Sequence, residues 1–170
     1  ELPIKNKIHL DVDYVGKNLA KYDSILILSH FKGHIMAGYG GALKNMSIGL
    51  ASSHGKAYIH GAGNVKKIWT SKHDEFLESM ADINVLTKLS VDCDCMTSPE
   101  EPRMKDIGIC ASLDPVALDQ ACIDMVYSSE DPGKKYLIER IESRNGIHTV
   151  ETAEKLGVGS RDYDLIKLNI

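Results

Sequence analysis

An apolar run followed at once by a glycine-rich loop constrains this chain more than any other feature. Residues 25–28 read Ile-Leu-Ile-Leu, a continuous apolar run typical of a strand that is covered on both faces. Four glycines fall between positions 33 and 41, and a helix is predicted over residues 42–50. This order predicts an α/β fold in which the loop lies at the carboxyl end of a strand, where α/β proteins usually bind ligands.

The rest of the chain continues the alternation of strand and helix patterns. Strands are predicted at residues 8–12, 25–28, 83–89, 107–111 and 163–168, with a turn and short strand at 55–60. Helices are predicted at residues 14–20, 42–50, 74–80, 115–127, 133–143 and 149–156, the fourth with Asp114 as its N-cap and Pro115 at its first position. We therefore expect a single domain over residues 1–170, with a mixed, mostly parallel sheet and helices on both faces.

Composition narrows the classes of partner. The net charge is −4, which argues against nucleic acid as the main partner. The longest apolar run has the length of a strand and not of a membrane span. With four cysteines and no signal peptide pattern, a cytoplasmic protein is expected. The expected partner is a small-molecule ligand or cofactor, with neither nucleic acid nor membrane, and we also expect a homodimer.

The glycine-rich loop predicts an anion site. Backbone amides at the start of a helix attract anions, and glycine allows a ligand to approach the backbone closely. Lys44 lies in the first helical turn, where a cation opposes the helix dipole unless it meets an anion. The alternative is a turn that packs the helix on the sheet, with Lys44 in solvent. The predicted cofactor-binding residues are Gly38, Gly40, Gly41, Lys44 and Asn45.

Four of the seven histidines lie between positions 30 and 60. A single histidine after a strand is more often a hydrogen-bonded structural residue, whereas this group indicates a site. We rank His34 and His60 above His30, and His54 lowest because its surroundings predict an exposed turn.

The cysteines divide into two pairs. Cys93 and Cys95 stand one residue apart in a polar loop, where two thiolates can bind a soft metal, the edge of an iron–sulfur cluster or each other. Cys110 and Cys122 fall in an apolar strand and on the apolar side of a helix, as small core residues do. The position of Asp119 allows either solvent exposure or a place facing the site.

The phrases LSHFKGH, GYGGALKN, DCDC and DIGICASLDPVALDQA together resemble the family called domain of unknown function 362. Its members are often described as iron–sulfur or ferredoxin-type proteins, so the resemblance implies an iron–sulfur cluster as one candidate cofactor. Members of the family continue further upstream. The resemblance therefore implies that this chain is the later part of a longer domain.

A more distant resemblance connects the chain to the lactate racemase family, which uses a nickel pincer nucleotide. His34, Lys44 and His60 follow one another in the order and with the spacing of that family. By this resemblance His34 is an acid/base, Lys44 holds the cofactor and His60 ligates nickel. His34 and Lys44 are thus the predicted catalytic residues, and His60, Cys93 and Cys95 the predicted metal ligands.

Three functions follow as hypotheses. The first is a metal- or cofactor-binding enzyme, an isomerase or oxidoreductase, built on the glycine-rich loop. The second is an iron–sulfur electron-transfer protein that uses Cys93 and Cys95. The third is a ligand-binding module without catalysis.

Overall fold

The computed structural model of the protein describes residues 1–4, 7–81 and 100–168. Its strands are β1 (Leu2–Pro3), β2 (Val12–Asp13), β3 (Lys32–His34) and β4 (Gly38–Gly40). Its helices are α1 (Ala42–Lys44, continued by a π-helical turn over Asn45–Gly49), α2 (Ser53–His60), α3 (His73–Ala81), α4 (Pro115–Ser128), α5 (Lys134–Ser143) and α6 (His148–Lys155). Short 3-10 turns lie at Leu19–Lys21 and Val65–Lys67.

The strands of the described residues form two small antiparallel sheets. β1 pairs with β2, and β3 pairs with β4 so that Lys32 lies opposite Gly40 and His34 opposite Gly38. The β3–β4 hairpin turns tightly because the His34 ring accepts hydrogen bonds from the amides of Met36 and Ala37. The mixed α/β composition is confirmed, whereas the predicted mostly parallel sheet is wrong for the described part of the chain.

Three predicted strands have no strand pairing with any other described residue. Residues 25–28, 107–111 and 163–168 are assigned to neither sheet and leave apolar side chains in solvent, among them Leu26 and Ile109, the latter 98% exposed. An apolar run indicates β propensity but does not supply the partner backbone that a strand requires. The predicted strand at 83–89 lies outside the described residues. Of the strand predicted at 8–12, only residue 12 belongs to a strand of the structure, β2.

The helices predicted at 74–80, 115–127, 133–143 and 149–156 are confirmed to within one residue at each end. The predicted cap of α4 is confirmed as well. Asp114 accepts hydrogen bonds from the amides of Val116 and Ala117 at 2.8 and 3.1 Å, and Pro115 is the first residue of α4. The prediction of a turn and strand at 55–60 is wrong. That segment belongs to α2, which begins where the Ser52 hydroxyl accepts from the Gly55 amide. The predicted helix at 14–20 is reduced to a short turn.

Two clusters of buried side chains form the core, and the β3–β4 hairpin contributes to both. The first contains Val116 and Ile123 of α4 with helices α5 and α6, and the hairpin contributes Tyr39, which stacks on Phe31. The second contains Phe76 of α3, with further side chains from α2, α3 and the N-terminal segment. The turn of the hairpin contributes Ala37 to this second cluster. Within the described residues no helix is long and apolar enough to cross a membrane.

A carboxylate on α3 connects three parts of the chain. Oε2 of Glu78 lies 2.5 Å from Nε2 of His9, and Oε1 lies 3.0 Å from Nε2 of His148 at the start of α6. Partial burial raises the pKa of Glu78, but the hydrogen bonds from His148 and His9 outweigh burial and lower that pKa below its usual value. The stabilisation is therefore present above the usual pKa of glutamate and is lost as the pH falls through the folded-state pKa.

We expect Glu78→Gln to lower the free energy of unfolding by about 1–2 kcal/mol at neutral pH, because the amide keeps one acceptor but loses the charge that strengthens both bonds. Urea denaturation measures this loss. Glu139→Gln, on the exposed side of α5, is the matched control and should change stability little. Equal effects of the two substitutions would show that the Glu78 contacts do not stabilise the fold.

Candidate functional site

His34 is held at the end of β3 in a single protonation state. It is only 3% exposed, and its Nδ1 accepts from the amides of Ala37 and Met36 at 3.0 and 3.3 Å. An amide N–H can only donate, so Nδ1 carries no proton and Nε2 does. Burial, and then the positive charge of Lys44 and interaction with His60, lower the pKa of His34 to about 2. At neutral pH His34 is an uncharged imidazole that offers Nε2–H as a donor.

His60 has the opposite arrangement. It is the last residue of α2 and half-buried, and its Nδ1 lies 2.7 Å from the carbonyl oxygen of Lys56. A carbonyl can only accept, so Nδ1 donates and Nε2 keeps its lone pair. Burial lowers the pKa of His60, and the charges of Lys44 and Lys56 act in the same direction. His60 therefore offers an acceptor nitrogen of the kind that binds a proton or a metal ion.

Phe76 of α3 lies against both rings. The His60 ring stacks on Phe76 with centroids 4.9 Å apart, and the His34 ring centroid lies 6.3 Å from that of Phe76. Phe76 is fully buried and lies beside both imidazoles. The structure thus places one donor imidazole and one acceptor imidazole around a single aromatic side chain.

Lys44 reaches the same region from α1. Its Cδ lies 3.0 Å from the place that a Cβ on Gly40 would occupy, so the missing side chain of Gly40 leaves room for the lysine. Its charge acts on both His34 and His60. Convergence of His34, Lys44 and His60 on one ligand stays a prediction. Their catalytic and metal-binding roles stay predictions.

A carboxylate of the protein itself occupies the start of α1. Oδ1 and Oδ2 of Asp119 accept from the amides of Ala42 and Leu43 at 2.6 and 3.0 Å. Asp119 is fully buried, and burial raises its pKa well above the usual value although the bond from Ala42 opposes that shift. The Asp119 carboxyl lies where a side chain on Gly41 would be. An external anion at these amides would have to displace Asp119.

The other predicted loop residues also meet groups of the protein. A Cβ on Gly38 would lie 2.8 Å from the carbonyl oxygen of Ile141 in α5, and Gly38 has a φ of 77° that favours glycine. Asn45 donates to the hydroxyl of Ser29 at 3.1 Å. These glycines thus have packing reasons of their own, as the alternative interpretation of the loop requires. Cofactor binding by Gly38, Gly40, Gly41 and Asn45 stays a prediction.

The comparison with known families decides what kind of chain this is. The profile of Domain of unknown function (DUF362) matches residues 1–124, which include His34, Lys44, His60 and Asp119. The chain belongs to this family. No curated protein and no solved structure matches it.

The described residues of this DUF362 chain give limited support for the predicted metal ligands. Among residues 1–4, 7–81 and 100–168, no group of three or more histidine, cysteine, aspartate or glutamate side chains is arranged to hold a metal ion. Cys93 and Cys95 lie outside these ranges. Cys110 and Cys122 are free and only partly buried, and burial raises the pKa of the Cys122 thiol. Within the described ranges, His60 offers one imidazole lone pair for a metal ion.

His30 and His54 were ranked below His34 and His60 as site residues, and their positions agree with that ranking only in part. His54 is exposed and contacts Tyr14 edge to face, with ring centroids 4.6 Å apart. It lies in a helix and not in the expected turn. His30 is half-buried.

Sequence reasoning missed Phe76 and the buried position of Asp119. For the buried position of Asp119, the one signal in the sequence was an aspartate among the apolar residues of a core helix. For Phe76 the sequence holds no signal, because its role comes from contacts with residues 16 and 42 positions earlier.

Proposed function

We propose that this DUF362 domain binds a small anionic carbonyl compound between His34, Lys44 and His60, and catalyses proton transfer on it. In this proposal His34 donates a hydrogen bond to the carbonyl oxygen, and Lys44 attracts the negative charge of the ligand. His60 accepts the proton from the neighbouring carbon. The reaction class is an isomerase, the first of the two enzyme classes expected from the sequence.

The observation that carries the proposal is the pair of fixed, opposite tautomers. Proton transfer next to a carbonyl requires an acceptor for the proton and a donor for the oxygen on which charge develops. His60 and His34 supply these two groups in uncharged form at neutral pH.

The same residues are also candidates for holding a cofactor. When bound, a metal-containing cofactor would supply Lewis-acid or redox chemistry, and His60 would offer one imidazole ligand with Lys44 beside it. This arrangement agrees with the resemblance to lactate racemases. The ligand-binding module without catalysis uses the same contacts, and the experiment below distinguishes it.

The test uses pyruvate as the probe and the whole chain as the protein. Ring nitrogen–proton correlations of the 15N-labelled protein should show a protonated Nε2 on His34 and a protonated Nδ1 on His60. Pyruvate should shift the signals of these two rings and leave those of His54 unchanged. In D2O, exchange of the pyruvate methyl protons should be faster with the protein than without it.

Variants separate binding from chemistry. His60→Ala should remove the accelerated exchange, by tenfold or more on the scale of general base catalysis. His54→Ala, at the other end of the same helix, should keep it. Pyruvate binding without accelerated exchange would support the ligand-binding module without catalysis. Unchanged ring signals would contradict the proposed site altogether.

A further inference from the structure

We infer that Cys110, Cys122 and Met125 form a binding site for a soft monovalent metal ion, and that their chemistry selects Cu(I). The site is separate from the one proposed above, because its residues lie in α4 and in the segment that precedes it. The sequence analysis interpreted both cysteines as small core residues. In the structure both are free and half-buried, so their thiols are available to a ligand.

Two of the three sulfur atoms are in direct contact. Sγ of Cys110 lies 3.9 Å from Sδ of Met125. A thiolate bond to zinc is about 2.3 Å long, and two bonds of that length in a trigonal arrangement put their sulfur atoms about 4 Å apart. The two side chains therefore already have the separation that a shared three-coordinate ion requires.

The helix places the third sulfur atom beside the other two. Cys122 stands three residues before Met125 in α4. Helical residues at this spacing are neighbours on one face, and the side chain of the later residue leans back over the earlier one. Cys110 touches the end of the Met125 side chain, so it lies over the face that carries Cys122. In agreement, burial raises the pKa of the Cys122 thiol, and Asp119 and Cys110 raise that pKa further.

The three ligands are all soft. Thiolates and thioethers select Cu(I), whereas zinc sites are usually built from four thiolate, imidazole or carboxylate ligands. The carboxyls of Asp119 and Asp124, on the same helix, already accept hydrogen bonds from other residues. A hard oxygen ligand would thus have to give up an existing bond. The set of two thiolates and one thioether favours Cu(I) over zinc.

An ion can reach these sulfur atoms from solvent. Ile109 and Ala111, on both sides of Cys110, are exposed, and no other described residue lies within 4 Å of the place that a Cβ on Gly108 would occupy. Burial keeps the Cys122 thiol protonated at neutral pH, so the ion has to displace a proton. Two Cu–S bonds form as two S–H bonds break, and both protons pass to the solvent. The thioether adds a third bond without a proton, and the copper stays Cu(I).

The experiment titrates the whole chain with Cu(I) without oxygen and follows the methyl signals of protein labelled with 13C-methyl methionine. The Met125 signal, identified by its loss in Met125→Leu, should shift. The signal of Met80, in the second core cluster, should not. The titration should give the same shift in a chain with Cys93→Ser and Cys95→Ser, which removes copper held by the predicted metal ligands.

Affinities are measured against a competing Cu(I) chelator. Loss of an outer-shell contact weakens metal binding by about 10–100-fold, and Cys122→Ser, which removes a ligand, should cost at least as much. Met125→Leu conserves volume and should weaken binding by about tenfold or more. Met80→Leu is the matched control and should leave the affinity unchanged. Because Met125→Leu keeps the packing, it tests the site even if Cys122→Ser disturbs the core.

Three outcomes would overturn the inference. Copper that binds without shifting the Met125 methyl signal would occupy another place on the chain. Equal affinities of Met125→Leu and the unchanged protein would show that the thioether is not a ligand. Zinc that shifts the Met125 signal as strongly as Cu(I) does would contradict the selection of a soft ion.

Discussion

Asp119→Ala is expected to lower the free energy of unfolding by about 3 kcal/mol, one of the largest effects of any single substitution in this chain. The substitution removes the side-chain acceptor of the Ala42 and Leu43 amides and leaves both amides buried among apolar side chains. Each buried amide without a partner costs about 1–3 kcal/mol. Urea denaturation followed by circular dichroism measures the change.

The matched control is Asp124→Ala, one helical turn and a fraction further along α4. Asp124 is exposed and contacts the side chains of Gln120 and Tyr163. Its loss should cost less than about 1 kcal/mol. Asp119→Asn keeps one acceptor but turns an N–H donor towards an amide, so its effect should fall between these two. A loss for Asp119→Ala no greater than for Asp124→Ala would contradict the structural role of the carboxyl.

Asp119 also connects stability with the site. Its carboxyl fixes the first turn of α1, and Lys44 is the last residue of that three-residue helix. Without the carboxyl, the turn loses the contact that holds it against α4. The position of Lys44 beside His34 thus depends on a residue 75 positions further along the chain.

The helices could be predicted from the sequence because their signals are local. Asp114 and Pro115 mark the start of α4 within two adjacent residues, and the structure confirms both. The wrong prediction of a turn and strand at 55–60, in α2, has a local cause as well. Ser52 caps the helix, and Gly55 is needed where the carbonyl of Tyr14 comes too close for a side chain. Glycine was interpreted as a turn signal although it serves here as a packing residue within a helix.

The sheet could not be predicted in the same way. A strand is defined by its partner, and the partner of an apolar run such as residues 107–111 is not written in the run itself. The same limit applies to the site. The spacing of His34, Lys44 and His60 predicted that they lie near one another, but the Phe76 contact and the tautomers depend on tertiary structure.

Acid should destabilise this protein through His34. The folded-state pKa of His34 is about 2, against an ordinary value of 6.5, because the ring is buried among positive charges. Between these two values the unfolded chain takes up a proton that the folded chain does not, so stability rises with pH and is lost as the pH falls below about 6.5. The slope from one such group approaches about 1.4 kcal/mol per pH unit. His60, whose pKa is also lowered, adds to it.

His34→Asn tests this expectation, since the asparagine side-chain oxygen can accept from the amide of Ala37 as Nδ1 does and carries no titrating group. Urea denaturation at several pH values between about 5 and 6.5, where most carboxylates stay ionised, gives the slope of the free energy of unfolding against pH. For His34→Asn this slope should be smaller than that of the unchanged protein by up to the contribution of one proton. His54→Asn replaces an exposed imidazole and should keep the original slope. Equal slopes for His34→Asn and the unchanged protein would mean that the folded state protonates His34 readily. In that case the ring could not stay an uncharged donor, and the proton-transfer proposal would lose its main support.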